Sequence, residues 1–251
     1  MATTIAIANQ KGGVAKSTTA TALAYALHQK EARVLFVDAD PQCNTTKTFG
    51  VTAPPATLCD IFLHQCTTAD AVCQTAYGDV IAGDHRLGNA DRLLNEIGKE
   101  FIMSKALKEV ASNYDYIVID TPPSLGVMLV NAATAADKVI ITVPAEEYAV
   151  EGLDLLVVTI AQVKEYTNPA VELAGMLLTR CNPRTKLFDE LRAETAAFAA
   201  RHGTSLFNTY IRECNAVKTA QRQRKFLMQA APASTAAQDY RAFAEELIGG
   251  I

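Results

Sequence analysis

Short apolar runs that end in a polar or charged residue recur along this chain, and amphipathic stretches of helical period separate them. Thr3 to Asn9 reads as a buried strand. Thr18 to Lys30 reads as a helix with Ala20, Leu23, Ala24 and Leu27 on one face, and Arg33 to Val37 as a second strand. Asp79 to Ala82, Tyr116 to Ile119, Lys138 to Val143 and Leu173 to Thr179 repeat the strand pattern, and Ser205 to Ile211 closes the series. Lys99 to Asn113, Val150 to Tyr166, Leu187 to His202 and about Thr235 to Leu247 read as helices. Apolar strands alternating with helices predict an α/β fold, a doubly wound and mostly parallel sheet covered on both faces. Lys16, Asp38, Asp40, Asp120 and Asn182 all follow strand ends, the edge at which open α/β sheets bind ligands. The chain has 251 residues, no Pro/Gly/Ser-rich linker and no internal repeat, so a single domain over 1–251 is expected.

Composition excludes several classes. Apolar residues are 49% and charged residues 20%, so disorder does not describe the whole chain. No apolar run approaches the roughly 20 residues of a membrane span. MATTIAIANQ has neither a basic n-region nor a cleavage site, so it does not read as a secretory signal, and a cytoplasmic location is expected. The net charge of −4 removes any global basic field, so nucleic-acid contact requires a local patch or a dimer that gathers patches. Six cysteines, at 43, 59, 66, 73, 181 and 214, form no CxxC pair and read as reduced, small hydrophobes.

KGGVAKST, residues 11–18, lies between the first strand and the first helix. Backbone N–H groups of a glycine-rich turn converge on phosphate, and the helix N-terminus adds positive dipole. Lys16 would reach the β- and γ-phosphates and the Ser17 hydroxyl would ligate Mg2+. The pattern GxxxxGK[ST] is not met literally, because Gln10 and Ala15 stand at its outer glycines. The Ala15 methyl is expected to fit through a negative φ. Asp38 and Asp40 are two apart after the second strand and, if extended, point the same way. Asp120 ends an apolar strand, where a carboxylate can hold Mg2+ through a water.

KGGVAKST resembles the deviant Walker A motif KGGxxK[ST] of the ParA/MinD family, whose additional lysine is here Lys11. VDADPQ at 37–42 and VIDTPPS at 118–124 resemble that family's next two motifs in order and spacing. IREC at 211–214, the basic stretch after it and DYRAFAEEL at 239–247 extend the similarity along the chain. The nearest branch is the small Soj-like ParA partitioning ATPases without an N-terminal helix-turn-helix, since a strand starting at Thr3 leaves no room for one. The resemblance implies a P-loop NTPase fold and Mg2+-dependent hydrolysis of ATP to ADP and phosphate. It implies that Lys11, Gly12, Gly13, Val14, Ala15, Lys16, Ser17 and Thr18 hold the phosphates. Asp40 would orient the attacking water, and Ser17, Asp120 and, less directly, Asp38 would serve the metal. Lys11 would cross to the nucleotide of a partner subunit in an ATP-bound homodimer. Arg180, Asn182, Pro183 and Arg212 would lie about the adenine, with Arg212 standing where the family often has Pro.

Residues 212–225, RECNAVKTAQRQRK, carry Arg212, Lys218, Arg222, Arg224 and Lys225 against one acid, Glu213. With Arg184 and Lys186 they form a candidate DNA patch of sequence-independent phosphate contacts, apart from the phosphate loop in motif order. The family implies a DNA-partitioning ATPase, with a ParB-like partner that stimulates slow hydrolysis and a nucleoid-associated location. Two alternatives remain open. One is a membrane-associated MinD-like ATPase, although the tail RAFAEELIGGI has two glutamates and one arginine and would be repelled by anionic lipid. The other is a metabolic enzyme on the same fold, an iron–sulfur reductase or an ATP-dependent ligase.

Overall fold

The computed structural model describes residues 2–147 and 149–249. Gly250 and Ile251, the end of the acidic tail, lie outside the described residues. In chain order the elements begin with β1 (Thr3–Ala8), α1 (Lys16–Gln29), β2 (Val34–Asp38), α2 (Asn44–Thr48), α3 (Leu58–Phe62), α4 (Thr68–Ala71), β3 (Val72–Thr75) and β4 (Gly78–Ile81). They continue with α5 (Ala90–Leu93), α6 (Ile102–Val110), β5 (Tyr116–Asp120), α7 (Val127–Ala135), β6 (Lys138–Pro144) and α8 (Leu153–Tyr166). β7 (Glu172–Thr179), α9 (Lys186–Arg201), α10 (Asn215–Arg222), α11 (Leu227–Ala230) and α12 (Thr235–Gly249) complete them.

The strands form one sheet in the order β3-β4-β2-β5-β1-β6-β7, parallel throughout except for β3. Alternation along each strand divides the core between two faces. Ala6 and Ala8 of β1, Leu35 and Val37 of β2 and Ile117 and Ile119 of β5 join one buried cluster with α3, α6, α7, α8 and α9. Ile5, Ile7, Phe36 and Val118 join the other, with α1, α10, α11 and α12. This is the doubly wound arrangement the apolar runs predict.

Three parts differ from the expectation. β3 and β4 form an antiparallel hairpin at the sheet edge, of which only the second strand reads clearly from the sequence. α7 and α10 are further helices: VMLVNAATA of α7 is apolar almost throughout and so shows no helical period, and α10 is a short, mostly polar segment. Ser205 to Ile211 is not a regular strand: it touches β7 through an isolated bridge, Met176 with Leu206, and Cys181 just beyond β7 bridges Arg212. Between these points the Glu246 carboxylate of α12 accepts from the Asn208 and Thr209 amides at 2.7 and 2.8 Å, taking donors that a strand would give to its neighbour.

Candidate nucleotide site

β1 is a central strand, and the chain leaves its carboxyl end as the 9–15 loop before entering α1. The loop is tied down at both ends. Asn9 donates to Thr142 O at 2.6 Å and accepts from the Lys11 amide at 2.8 Å. Gln10, where a glycine is usual, donates to Gly152 O at 2.6 Å. A Cβ on Gly152 would sit 2.5 Å from that amide nitrogen, so only glycine permits the contact. Gly13 has φ +75°, the left-handed turn for which glycine is suited.

Ala15 corrects the expectation of a negative φ. Its φ is 66°, left-handed, at the N-cap of α1. The turn must reverse there so that the first-turn N–H groups of α1, which lack intrahelical partners, open onto the loop. The conformation costs an L-residue about 1–2 kcal/mol.

Lys16 is buried, and its Nζ donates to Lys11 O at 2.8 Å, inside the ring of the loop. Burial pulls its pKa below the usual lysine value, opposed by the carboxylates of Asp120 and Asp40. Lys11 itself is half-buried at the loop's entrance. The Val14 side chain packs in the core, so only its backbone is available to a ligand.

Asp38 and Asp120 lie side by side, paired in the register of β2 with β5. Both are fully buried. Asp38 Oδ2 accepts from the Thr46 amide at 2.8 Å and its hydroxyl at 2.6 Å. Burial pushes the Asp38 carboxyl up, and these hydrogen bonds oppose the shift. Neither Asp120 oxygen has a hydrogen-bond partner. Its pKa stands well above the usual value, first through burial and then through the Asp38 charge. The nearby Ser17 hydroxyl and Lys16 ammonium favour the anion without giving it a hydrogen bond of ordinary geometry.

Asp38 and Asp40 both lie close enough to Asp120 to raise its pKa, but their surroundings differ. The chain leaves β2 at Asp38, and Ala39 N bonds to Asp120 O. Asp40 then turns, accepting from the Gln42 amide at 2.9 Å across Pro41. Asp38 is fully buried at the end of β2, while Asp40 lines the open cleft.

That cleft is a cavity of about 730 Å³ lined by Gly12, Gly13, Ala15, Lys16, Ser17 and Thr18 together with Asp40 and Pro123. A second cavity of about 530 Å³ adjoins it, sharing Arg212, Glu213 and Cys214 and adding Asn182, Pro183 and Arg184. The two cavities are therefore contiguous. Arg180, with φ 57°, pairs with Glu146 at 2.7 Å and Glu213 at 3.7 Å on the rim. Arg212 is spoken for: its Nε and Nη2 clasp Asp239 at 2.6–3.1 Å, and Nη2 also reaches Thr235 O at 3.4 Å. It shapes the wall shared by the two cavities instead of offering its full donor edge. Asp239, in DYRAFAEEL, is the partner that sequence reading missed.

The basic stretch is not remote from the phosphate loop, as motif order suggested. Lys218, Arg224 and Lys225 line the same cleft, Arg222 does not, and Lys186 lines neither cavity. Gln221 Nε2 donates to Thr18 Oγ1 at 2.9 Å, joining α10 to α1. Cys43, Cys59 and Cys181 are buried and unbridged, consistent with small hydrophobes, and burial pushes the Cys181 thiol up to about 12.

Among the described residues no three His, Cys, Asp or Glu side chains form a self-sufficient metal cage. The orphaned Asp120 carboxylate beside the Ser17 hydroxyl fits a hydrated divalent cation whose remaining ligands come from a phosphate chain. Asp38, already bonded by Thr46, would support it from behind.

Residues 2–173 match the AAA domain family AAA_31. The sporulation initiation inhibitor protein Soj of Bacillus subtilis is 42% identical over 188 residues, 73% of this chain and 74% of Soj. The chromosome partitioning protein ParA of Caulobacter vibrioides is 39% identical over 200 residues, 77% of this chain and 75% of that protein. The chain belongs to the ParA/MinD family. Among solved structures, cobyrinic acid a,c-diamide synthase from Mycobacterium smegmatis, with a bound ATP analogue and magnesium, superposes with a TM-score of 0.86 at 30% identity. That match covers 99% of this chain and 95% of the other. The ParA/MinD relationship accounts for the paired lysines of the loop and for the P-loop NTPase fold. Among the described residues no helix is long and apolar enough to cross a membrane.

Proposed function

We propose that this chain is an Mg2+-dependent ATPase that positions DNA or another cargo, binding DNA in its ATP-bound homodimeric form. The observation that carries the reading is the two-lysine phosphate loop with the unpartnered Asp120 carboxylate behind it and, in the same cleft, Lys218 of α10 with Arg224 and Lys225 just after it. Loop N–H groups, Lys16 and Thr18 hold the phosphate chain, and the second cavity takes the adenine beside Asn182 and Pro183. Bound Mg2+ would neutralise phosphate charge and polarise the terminal phosphoryl group. Ser17 and Asp120 would hold it. Asp40 orients a water in line with the γ-phosphorus. As that water's oxygen bonds to phosphorus, the bridging bond to ADP breaks, and the water's protons leave toward solvent and phosphate. Lys11, at the loop entrance, serves the partner subunit's nucleotide, so ATP binding and dimerisation are one event.

The cations of α10 and the turn after it supply phosphate contacts of no sequence preference. Such contacts suit a cytoplasmic protein that moves over the nucleoid and is released when a ParB-like partner stimulates hydrolysis. A second reading has one observation in its favour: a structure of the same fold, at 30% identity, is a diamide synthase. DNA co-sedimentation with ATP, with ADP and without nucleotide separates the two. Retention with ATP alone supports partitioning. No retention in any state, with ATP consumed only when a carboxylic acid and an amide donor are supplied, supports the synthase.

A further inference from the structure

The loop that follows Asp120 is pinned at both ends. At its start the buried Thr121 hydroxyl donates to Ile7 O at 2.8 Å. At its end α7 begins with Gly126 at the N-cap, which has no side chain to accept from the first-turn amides. The acceptor comes instead from α5: Asp91 Oδ1 accepts from the Val127 amide at 2.9 Å. Gly126 has φ −75°, which any residue adopts, so its backbone does not call for glycine. The limit there is space. A Cβ on Gly126 would sit 2.5 Å from Asp91 Oδ2, so the missing side chain is what admits the carboxylate. Between the two pins, Pro123 lines the nucleotide cleft.

The segment that carries Asp91 also touches the turn that carries Asp40. Asp38 and Asp120 are register partners, so the chain leaves β2 and β5 side by side. Three residues before Asp91, Gly88 lies against Pro41, where a Cβ would be 3.7 Å from the proline Cβ, in ordinary contact. Pro41 directly follows Asp40, which lines the cleft. One short stretch of chain thus rests on both loops. The body of α7 is held separately: the buried Asn131 accepts from the Met103 amide at 3.1 Å and donates to Lys99 O at 2.9 Å. The Asp91 contact therefore governs the first turn of α7 and the loop before it, while Asn131 fixes the rest of the helix.

We propose that Asp91 is a positioning residue for ATP hydrolysis: it holds the loop after Asp120 against the turn that carries Asp40, so that the two loops keep one geometry about the γ-phosphate. This rests on the ATPase reading above; Asp91 and the glycine that makes room for it are what it adds. Asp91 is not among the residues that line either cavity, so it acts through the groups it places. A small displacement of those groups costs turnover far more than binding. Binding is spread over the whole loop around Lys16, whereas the reaction depends on one water held in line.

The test compares steady-state ATP turnover with affinity for a slowly hydrolysed analogue in the full chain. The proteins are wild type, Asp91→Ala, Asp91→Asn, Gly126→Ala and the Asp91→Ala/Gly126→Ala double variant. Asp91→Ala should lower kcat by roughly ten- to a hundredfold and leave analogue affinity within about twofold. Asp91→Asn keeps an acceptor for the Val127 amide and should recover most of the turnover. Gly126→Ala should match Asp91→Ala, because its methyl expels the carboxylate. Together the two substitutions should cost no more than either alone, since each removes the same contact. Turnover by Asp91→Ala equal to wild type, equal losses of turnover and analogue affinity, or losses that multiply in the double variant overturn the proposal. Loss of the analogue-bound dimer by Asp91→Ala in analytical ultracentrifugation also overturns it, because the residue then belongs to the subunit interface. If wild type itself consumes no ATP, the ATPase reading fails, and this proposal with it.

Discussion

Asp120→Asn should make the ligand-free protein more stable while disabling it. Asp120 is fully buried, and neither oxygen has a hydrogen-bond partner. Burial and the Asp38 charge raise its pKa above the ordinary 3.8. A carboxyl raised in the fold costs nothing below its unfolded pKa, where both states are protonated. Stability is then lost as pH rises toward the folded pKa, because the unfolded chain releases a proton that the native state keeps. At pH 7 the loss has a ceiling set by about 3 pH units at about 1.4 kcal/mol each, or about 4 kcal/mol. An asparagine removes the titration but leaves a buried amide with few partners, at about 1–3 kcal/mol. The net gain at pH 7 is therefore at most about 3 kcal/mol, or at most about 10 °C in Tm for a chain of this size. Denaturant unfolding without Mg2+ or nucleotide, at pH 7 and pH 4.5, measures it. The gain should vanish at the lower pH, and Mg·ATP should stabilise wild type far more than the variant. A variant less stable than wild type at pH 7, or a gain independent of pH, would refute the reasoning.

Asp40→Ala should leave ATP binding intact and stop hydrolysis, accumulating an ATP-bound dimer by light scattering; unchanged turnover would reduce Asp40 to a turn residue. Lys11→Ala should still bind ATP through Lys16 and the loop amides but fail to dimerise, as analytical ultracentrifugation with a slowly hydrolysed analogue would show. Dimerisation as tight as wild type would remove Lys11 from the interface. Ala15→Gly should raise stability by about 0.5–1 kcal/mol, since glycine accepts the left-handed φ without the methyl's strain. Loss of stability in thermal unfolding would mean that the Ala15 methyl packs usefully.

The strand order of motifs and the two-faced core were legible because the buried strands are apolar over most of their length and polar or charged residues follow them. The phosphate loop was legible because strand, glycines, lysine, hydroxyls and helix follow one another within a few residues. Spacing alone could not separate Asp38 from Asp40, since the turn at Pro41 and the two hydrogen bonds from Thr46 depend on α2 folding against β2. Nor could it bring α10 to the cleft. That placement depends on Phe226 meeting Phe49, Tyr25 and Tyr77 from distant parts of the chain, and on Gln221 reaching Thr18. Ser205 to Ile211 has the apolar pattern of a strand, but a carboxylate on α12 competes for its amides. Nor does spacing pair Arg212 with Asp239, 27 residues away, which takes up the guanidinium that a base would need.

The central claim is that the loop around Lys16 binds and hydrolyses Mg·ATP. Phosphate release from ATP by wild type and by Lys16→Ala, with Mg2+ and with excess chelator, tests it most directly. The account predicts slow turnover by wild type that needs Mg2+, and none by the variant, which loses the buried ammonium facing the phosphates. Equal turnover by both proteins, or turnover by wild type that persists in chelator, would contradict it.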